Sequence, residues 1–123
     1  MVKIICIVDD EEDLIENLSI DMKELRPDWV VKTFQSGLDA LKEIMQGQVS
    51  LVVTDIAMPD MDGYELFGRI KDYDERLPVI MMTGFGYDPN HVLVRSKQDG
   101  LQDILYKPFE TNKLVELIES RLT

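Results

Sequence analysis

Two hydrophobic periods alternate along the chain, and that alternation constrains the fold more than any other feature. Five short apolar runs, residues 2–8, 29–34, 49–54, 77–82 and 102–106, read as strands. Three of them are nearly continuous: Ile4-Ile5-Cys6-Ile7-Val8, Leu51-Val52-Val53 and Val79-Ile80-Met81-Met82. Such runs suit strands covered on both faces in a parallel sheet. The second run includes Lys32 and the fifth includes Asp103, which suits the two edges.

Between the runs the period becomes helical. Leu14, Leu18, Met22 and Leu25 recur at helical spacing, and Pro27 stops the pattern. Ser36 caps a second expected helix with apolar positions Leu38, Leu41, Ile44 and Met45, ended by Gly47. A third begins near Asp62 and carries Leu66, Phe67 and Ile70. Asp88-Pro89 opens a fourth that Gly100 closes, and the last carries Leu114, Leu117, Ile118 and Leu122. Strict βα alternation implies helices on both faces of a sheet. Five units are too few for an eight-stranded barrel, which needs about 250 residues. The expectation is therefore α/β, a flavodoxin-like (βα)5 doubly wound parallel sheet of order 2-1-3-4-5, forming one domain over residues 1–123.

In open sheets of this kind, ligands bind beyond the C-terminal ends of the strands. Asp9 and Asp10 end the first run, Asp55 the third, Thr83 the fourth and Lys107 the fifth. The fold would gather three carboxylates, one hydroxyl and one ammonium along a single edge. Any one of them has a bland reading as a cap or a solvated charge, and Glu11, Glu12 and Asp13 suit the first turn of a helix in that way. All five at the same edge do not. Close carboxylates raise each other's pKa unless a cation intervenes, and a hard divalent ion such as Mg²⁺ is the natural remedy. Lys107-Pro108 fixes extended backbone at the lysine and favours an inward-directed loop. A carboxylate nucleophile, Mg²⁺, a hydroxyl and a lysine form a phosphoryl-transfer set. Asp55 stands alone at its strand end and is the preferred nucleophile, whereas Asp9 and Asp10 form a pair suited to the metal.

Charge and composition narrow the partners. A formal charge of −11 disfavours direct contact with nucleic acid or an acidic membrane surface. No segment approaches the ~20 apolar residues of a membrane span, so no membrane insertion is expected. Cys6, the single cysteine, lies in an apolar run and reads as a buried, inert thiol. Its solitude excludes intrachain disulfides and fits a reducing, cytoplasmic setting.

Four segments together resemble the receiver domain of two-component response regulators: Ile7-Val8-Asp9-Asp10-Glu11, the run from Val53 to Gly63, Met82-Thr83-Gly84, and Tyr106-Lys107-Pro108-Phe109. The resemblance implies that Asp55 is the phosphoacceptor, charged by a sensor histidine kinase or a histidine phosphotransfer protein. It implies that Asp10 binds Mg²⁺ (or Mn²⁺) directly, that Asp9 acts through metal-bound water, and that Ala57 offers its backbone carbonyl. Asp55 completes the metal set. Thr83 would be the hydroxyl that moves toward the phosphoryl group, and Lys107 the lysine that pairs with a phosphoryl oxygen. The implied molecule is a signalling switch that catalyses only its own phosphorylation and dephosphorylation. Its output is expected through the fourth helix, fifth strand and fifth helix, and its partners include a second copy of itself once phosphorylated.

The sequence departs from the family pattern at Ile104, where many members carry an aromatic that rotates inward. An aliphatic β-branched side chain there puts aromatic switching in doubt. The loop from Gly84 to Pro89 contains two glycines and the aromatics Phe85 and Tyr87. The stretch from Thr83 to Asn90, together with Leu105-Tyr106-Lys107-Pro108-Phe109, looks more like receiver modules attached to hybrid sensor kinases than like those of transcriptional regulators. A haloacid dehalogenase phosphatase would need an acid where Ala57 stands. A dinucleotide binder would need the G-x-G-x-x-G spacing that Gly84-Phe85-Gly86 lacks. The segment Met58 to Gly63 is a turn entering the third helix rather than a calcium loop.

Overall fold

A computed structural model describes residues 2–84 and 103–122. Five parallel strands, β1 (Lys3–Val8), β2 (Trp29–Phe34), β3 (Leu51–Asp55), β4 (Val79–Thr83) and β5 (Asp103–Tyr106), form one sheet in the order β2-β1-β3-β4-β5. The described helices are α1 (Glu12–Leu25), α2 (Gly37–Ile44), α3 (Gly63–Tyr73) and α4 (Thr111–Leu122). The last is the fifth helix expected from the sequence; the one expected between Asp88 and Gly100 lies outside the described residues.

The continuous apolar runs have the explanation their pattern suggested. Every residue of β3 and β4 is buried, because each strand contributes alternate side chains to two separate cores. On one face Cys6, Val8, Val52 and Met81 meet Ala40, Leu41 and Ile44 of α2 and Leu66, Phe67 and Ile70 of α3. On the other, Ile5, Ile7, Leu51, Val53, Ile80 and Met82 meet Ile15, Leu18 and Met22 of α1 and Leu114, Val115 and Ile118 of α4. Cys6 is fully buried, and burial pushes its thiol up to about 12, so it stays protonated and unreactive.

Two helices sit on slightly different faces from those the spacing suggested. Leu25 is exposed, and α1 buries Ile15 with Leu18 and Met22. Leu38 and Met45 are likewise exposed, because α2 turns Gly37, Ala40, Leu41 and Ile44 inward. Gly37 is small enough to press on Met58 and Met61 of the loop after β3 and Ala40 is buried in the same core, and a count of large apolar residues misses both.

The caps follow the sequence closely. The Ser36 hydroxyl accepts from the Asp39 amide, and the Asp62 carboxylate accepts from the Glu65 amide at 2.7 Å. Replacing Asp62 with alanine should lower the stability of the fold by about 1 kcal/mol, read as a shift of the urea midpoint with an unchanged slope. The outer strands are each tied to a helix by an ion pair. Lys32 of β2 bonds Glu43 of α2 at 2.9 Å, and Arg121 of α4 donates to Asp103 of β5 at 2.8 Å. Among the described residues no helix is long and apolar enough to cross a membrane.

Candidate functional site

The parallel sheet sets the site by its register. Val8 lies beside Thr54, Asp55 beside Met82, and Thr83 beside Tyr106, so the C-terminal ends of β1, β3, β4 and β5 are neighbours. Asp9 follows β1, and its amide donates to the Phe34 carbonyl at 3.0 Å, which holds the residue against the end of β2. Asp55 and Thr83 are the last residues of their strands rather than the first of their loops. Lys107 continues from β5, its amide donating to the Thr83 carbonyl at 2.8 Å. The Lys107-Pro108 peptide bond is cis, a detail that X-Pro sequences do not reveal.

The side chains converge as their placement implies. The Lys107 ammonium donates to Asp9 Oδ2 at 2.6 Å and lies 3.4 Å from Asp55 Oδ1. Glu11, which the sequence placed only in a helix dipole, also stands within 3.9 Å of that ammonium while remaining exposed. Carboxylate oxygens of Asp9, Asp10 and Asp55 all lie within 4.8 Å of one another. Asp9 is fully buried, Asp55 and Thr83 are 6% exposed, and Asp10 opens to solvent. Ala57 is exposed on the loop two residues after Asp55. Ile104 packs against the core shared with α2 and α3, whereas Tyr106 is exposed.

Electrostatics follow from this crowding. Burial raises the Asp55 carboxyl to about 6, the charge of Asp9 adding to the effect and Lys107 opposing it. Asp9 is also raised, first by burial, against the pull of its Lys107 hydrogen bond. For Lys107 burial acts downward, but hydrogen bonding to Asp9 and the charges of Asp55, Asp9 and Glu11 outweigh it and raise the ammonium's pKa. One ammonium faces three carboxylates, so the edge keeps an unbalanced negative charge in a half-buried setting. All three are hard oxygen donors, and one of them faces water. The set fits a divalent oxygen-seeking cation such as Mg²⁺, which keeps part of its hydration shell.

The loop that follows Asp55 is held more tightly than its sequence suggests. Gly63 donates its amide to the Ile56 carbonyl at 2.7 Å, and a Cβ at Gly63 would stand 2.2 Å from the Asp55 carbonyl oxygen. Only glycine lets α3 start this close to the strand end. The segment Phe85 to Pro89, with both of its aromatics, lies outside the described residues.

The chain matches the family model described as the response regulator receiver domain over residues 5–119. It is 34% identical over 110 residues to the C4-dicarboxylate transport transcriptional regulatory protein DctD of Rhizobium meliloti, covering 89% of this chain but only 23% of DctD. That relative is a transcriptional regulator by name. Among solved structures, a CheY-like receiver domain protein from Methanospirillum hungatei superposes with a TM-score of 0.90 at 26% identity, covering 99% of this chain and 94% of that one. A beryllofluoride-activated NtrC4 receiver domain dimer does so with 0.86 at 28% identity, covering 98% and 97%. The chain belongs to the response regulator receiver domain family, the phosphoacceptor modules of two-component signalling.

Proposed function

We propose that residues 1–123 form one receiver domain in which Asp55 accepts the phosphoryl group. The donor is a phosphohistidine on a sensor histidine kinase or a histidine phosphotransfer protein. The observation that carries this reading is the Lys107 ammonium held between Asp9 and Asp55 beside Asp10. In the forward step an Asp55 carboxylate oxygen forms the new P–O bond while the P–N bond of the donor breaks. The imidazole keeps the electron pair and later takes up a proton. In a separate hydrolytic step water attacks phosphorus, the P–O bond to Asp55 breaks with its electron pair returning to the carboxylate, and the proton lost by the water passes to solvent as inorganic phosphate departs.

Asp9, Asp10, Asp55 and the Ala57 carbonyl would hold Mg²⁺ (or Mn²⁺). When bound, the ion supplies positive charge that screens the phosphoryl oxygens from the acidic edge. Lys107 reaches the same side of Asp55 and would neutralise a second phosphoryl oxygen, and Thr83 at the end of β4 would donate its hydroxyl to a third. The protein thus catalyses its own phosphorylation and dephosphorylation and acts on no other substrate. Output would run through the fourth helix expected from the sequence before β5, through β5 and through α4, with a phosphorylation-dependent homodimer as one outcome. A cytoplasmic setting fits the protonated lone thiol, and the negative charge argues against direct nucleic-acid contact.

Intact-mass spectrometry after incubation with Mg²⁺ and acetyl phosphate should reveal one phosphoryl adduct on the parent and none on Asp55→Asn. The same adduct on the variant would place the chemistry elsewhere.

A further inference from the structure

The loop between β3 and α3 reaches across to a neighbouring helix by a carboxylate that the phosphoryl chemistry does not use. Asp60 accepts from the Ser36 hydroxyl at 2.6 Å, from the Leu38 amide at 3.1 Å and from the Gly37 amide at 3.3 Å. These amides open α2, and a helix start leaves such donors without partners of its own. Asp60 therefore completes a cap that Ser36 begins, from more than twenty residues away in the chain. The Ser36 hydroxyl, followed by the two amides, holds the Asp60 carboxyl down to about 2, so it stays ionised across the physiological range.

The loop bearing Asp60 is closed at both ends. Its start is fixed where Gly63 donates to Ile56, and Met58 and Met61 are seated in the core. Gly37 presses on the same loop: a Cβ there would stand 3.1 Å from both Cβ and the carbonyl oxygen of Met61. Ala57 lies between Ile56 and Met58, three residues before Asp60. A rigid helix end is thus fastened to the segment that offers the Ala57 carbonyl.

We propose that Asp60 is a positioning residue, which by gripping the N-terminus of α2 holds the Ala57 segment in register for Mg²⁺. The inference rests on the proposed function, since it presumes that Ala57 serves the metal. A carboxylate that served only as a helix cap would contribute stability and leave metal affinity alone. One that positions the loop changes the affinity itself.

The test is a calorimetric titration with Mg²⁺ of the whole chain as parent, Asp60→Asn, Asp60→Ala and Lys71→Met. Lys71 donates to the Leu77 carbonyl at the far end of α3, so its loss lowers stability away from the site. Support of a metal ligand from outside the coordination shell is commonly worth about 10-fold in affinity or more, and Asp60→Ala should weaken Mg²⁺ binding by about that factor. Asp60→Asn, which keeps one acceptor oxygen, should fall between parent and alanine, and Lys71→Met should bind as the parent does. Raising Mg²⁺ to saturation should restore the rate of modification by acetyl phosphate in Asp60→Ala. Equal affinity in parent and Asp60→Ala, with the parent still binding Mg²⁺ and modified at Asp55, would overturn the positioning role alone. A parent that binds no Mg²⁺ would overturn the proposed function and this inference together.

Discussion

Replacing Lys107 with methionine should slow phosphoryl acceptance by about 10²- to 10³-fold, the usual loss when one preorganised donor to a developing oxyanion is removed. The reason lies in the placement of the ammonium. It is 2.6 Å from Asp9 and 3.4 Å from Asp55, close enough to meet an oxygen carried on Asp55 without moving far. The same change should strengthen Mg²⁺ binding, because a cation that competes for Asp9 and Asp55 is gone. Stability at neutral pH should fall by about 2 to 3 kcal/mol, somewhat less than for a fully enclosed pair, because Asp10 opens the site to water. Tighter metal binding with slower transfer separates a charge that acts on the phosphoryl group from one that merely braces the fold. Lys107→Arg should rescue poorly, since a planar guanidinium cannot place a point charge between two carboxylates in the same way. A Lys107→Met protein modified by acetyl phosphate at the parental rate would remove the lysine from the mechanism.

Asp55→Asn should make the protein more stable at pH 7 in metal-free buffer, by up to about 3 kcal/mol, the free-energy equivalent of a carboxyl moved from 3.8 to about 6. The sign follows from which state releases its proton first. Below pH 4 both folded and unfolded chains keep it. Between pH 4 and 6 the unfolded chain loses it while the folded chain holds it, so native stability declines as pH rises, and the decline ends above pH 6. Asparagine has no proton to release, so parent and variant should converge near pH 4 and diverge toward pH 7. Urea midpoints at several pH values measure this directly. A variant less stable than the parent at pH 7 would show that Asp55 is not strained in the resting fold. Added Mg²⁺ should narrow the gap, because only the parent gains the full ligand set.

Much of this was legible in residue order, for physical reasons that also set the boundary. Burial on both faces forces strands such as Val79–Thr83 into unbroken apolar runs, and the end of each run marks where the polar residues Asp9, Asp55, Thr83 and Lys107 emerge. Helix starts are local, so the Ser36 cap and the start of α3 near Asp62 announced themselves. The helix faces were less plain. Gly37 and Ala40 reach the core by being small, and hydrophobic spacing gives weight to the larger Leu38 and Met45 that face water instead. Asp60 was least legible, since its partners are brought to it only by the crossing of α2 over the loop after β3. Nothing in Met58-Pro59-Asp60-Met61 distinguishes a turn carboxylate from one that caps a distant helix.

The ion pairs at the rims of the sheet bear on how copies of this protein meet. A five-stranded open sheet ends in two rows of unpaired backbone groups, each a template for another strand. Lys32 on one outer strand and Asp103 on the other are both charged, and each is already engaged by a helix of the same chain. A strand arriving at either rim would have to strip water from these charges or pull them from their partners. Growth of the sheet by strand addition is thereby discouraged at both margins.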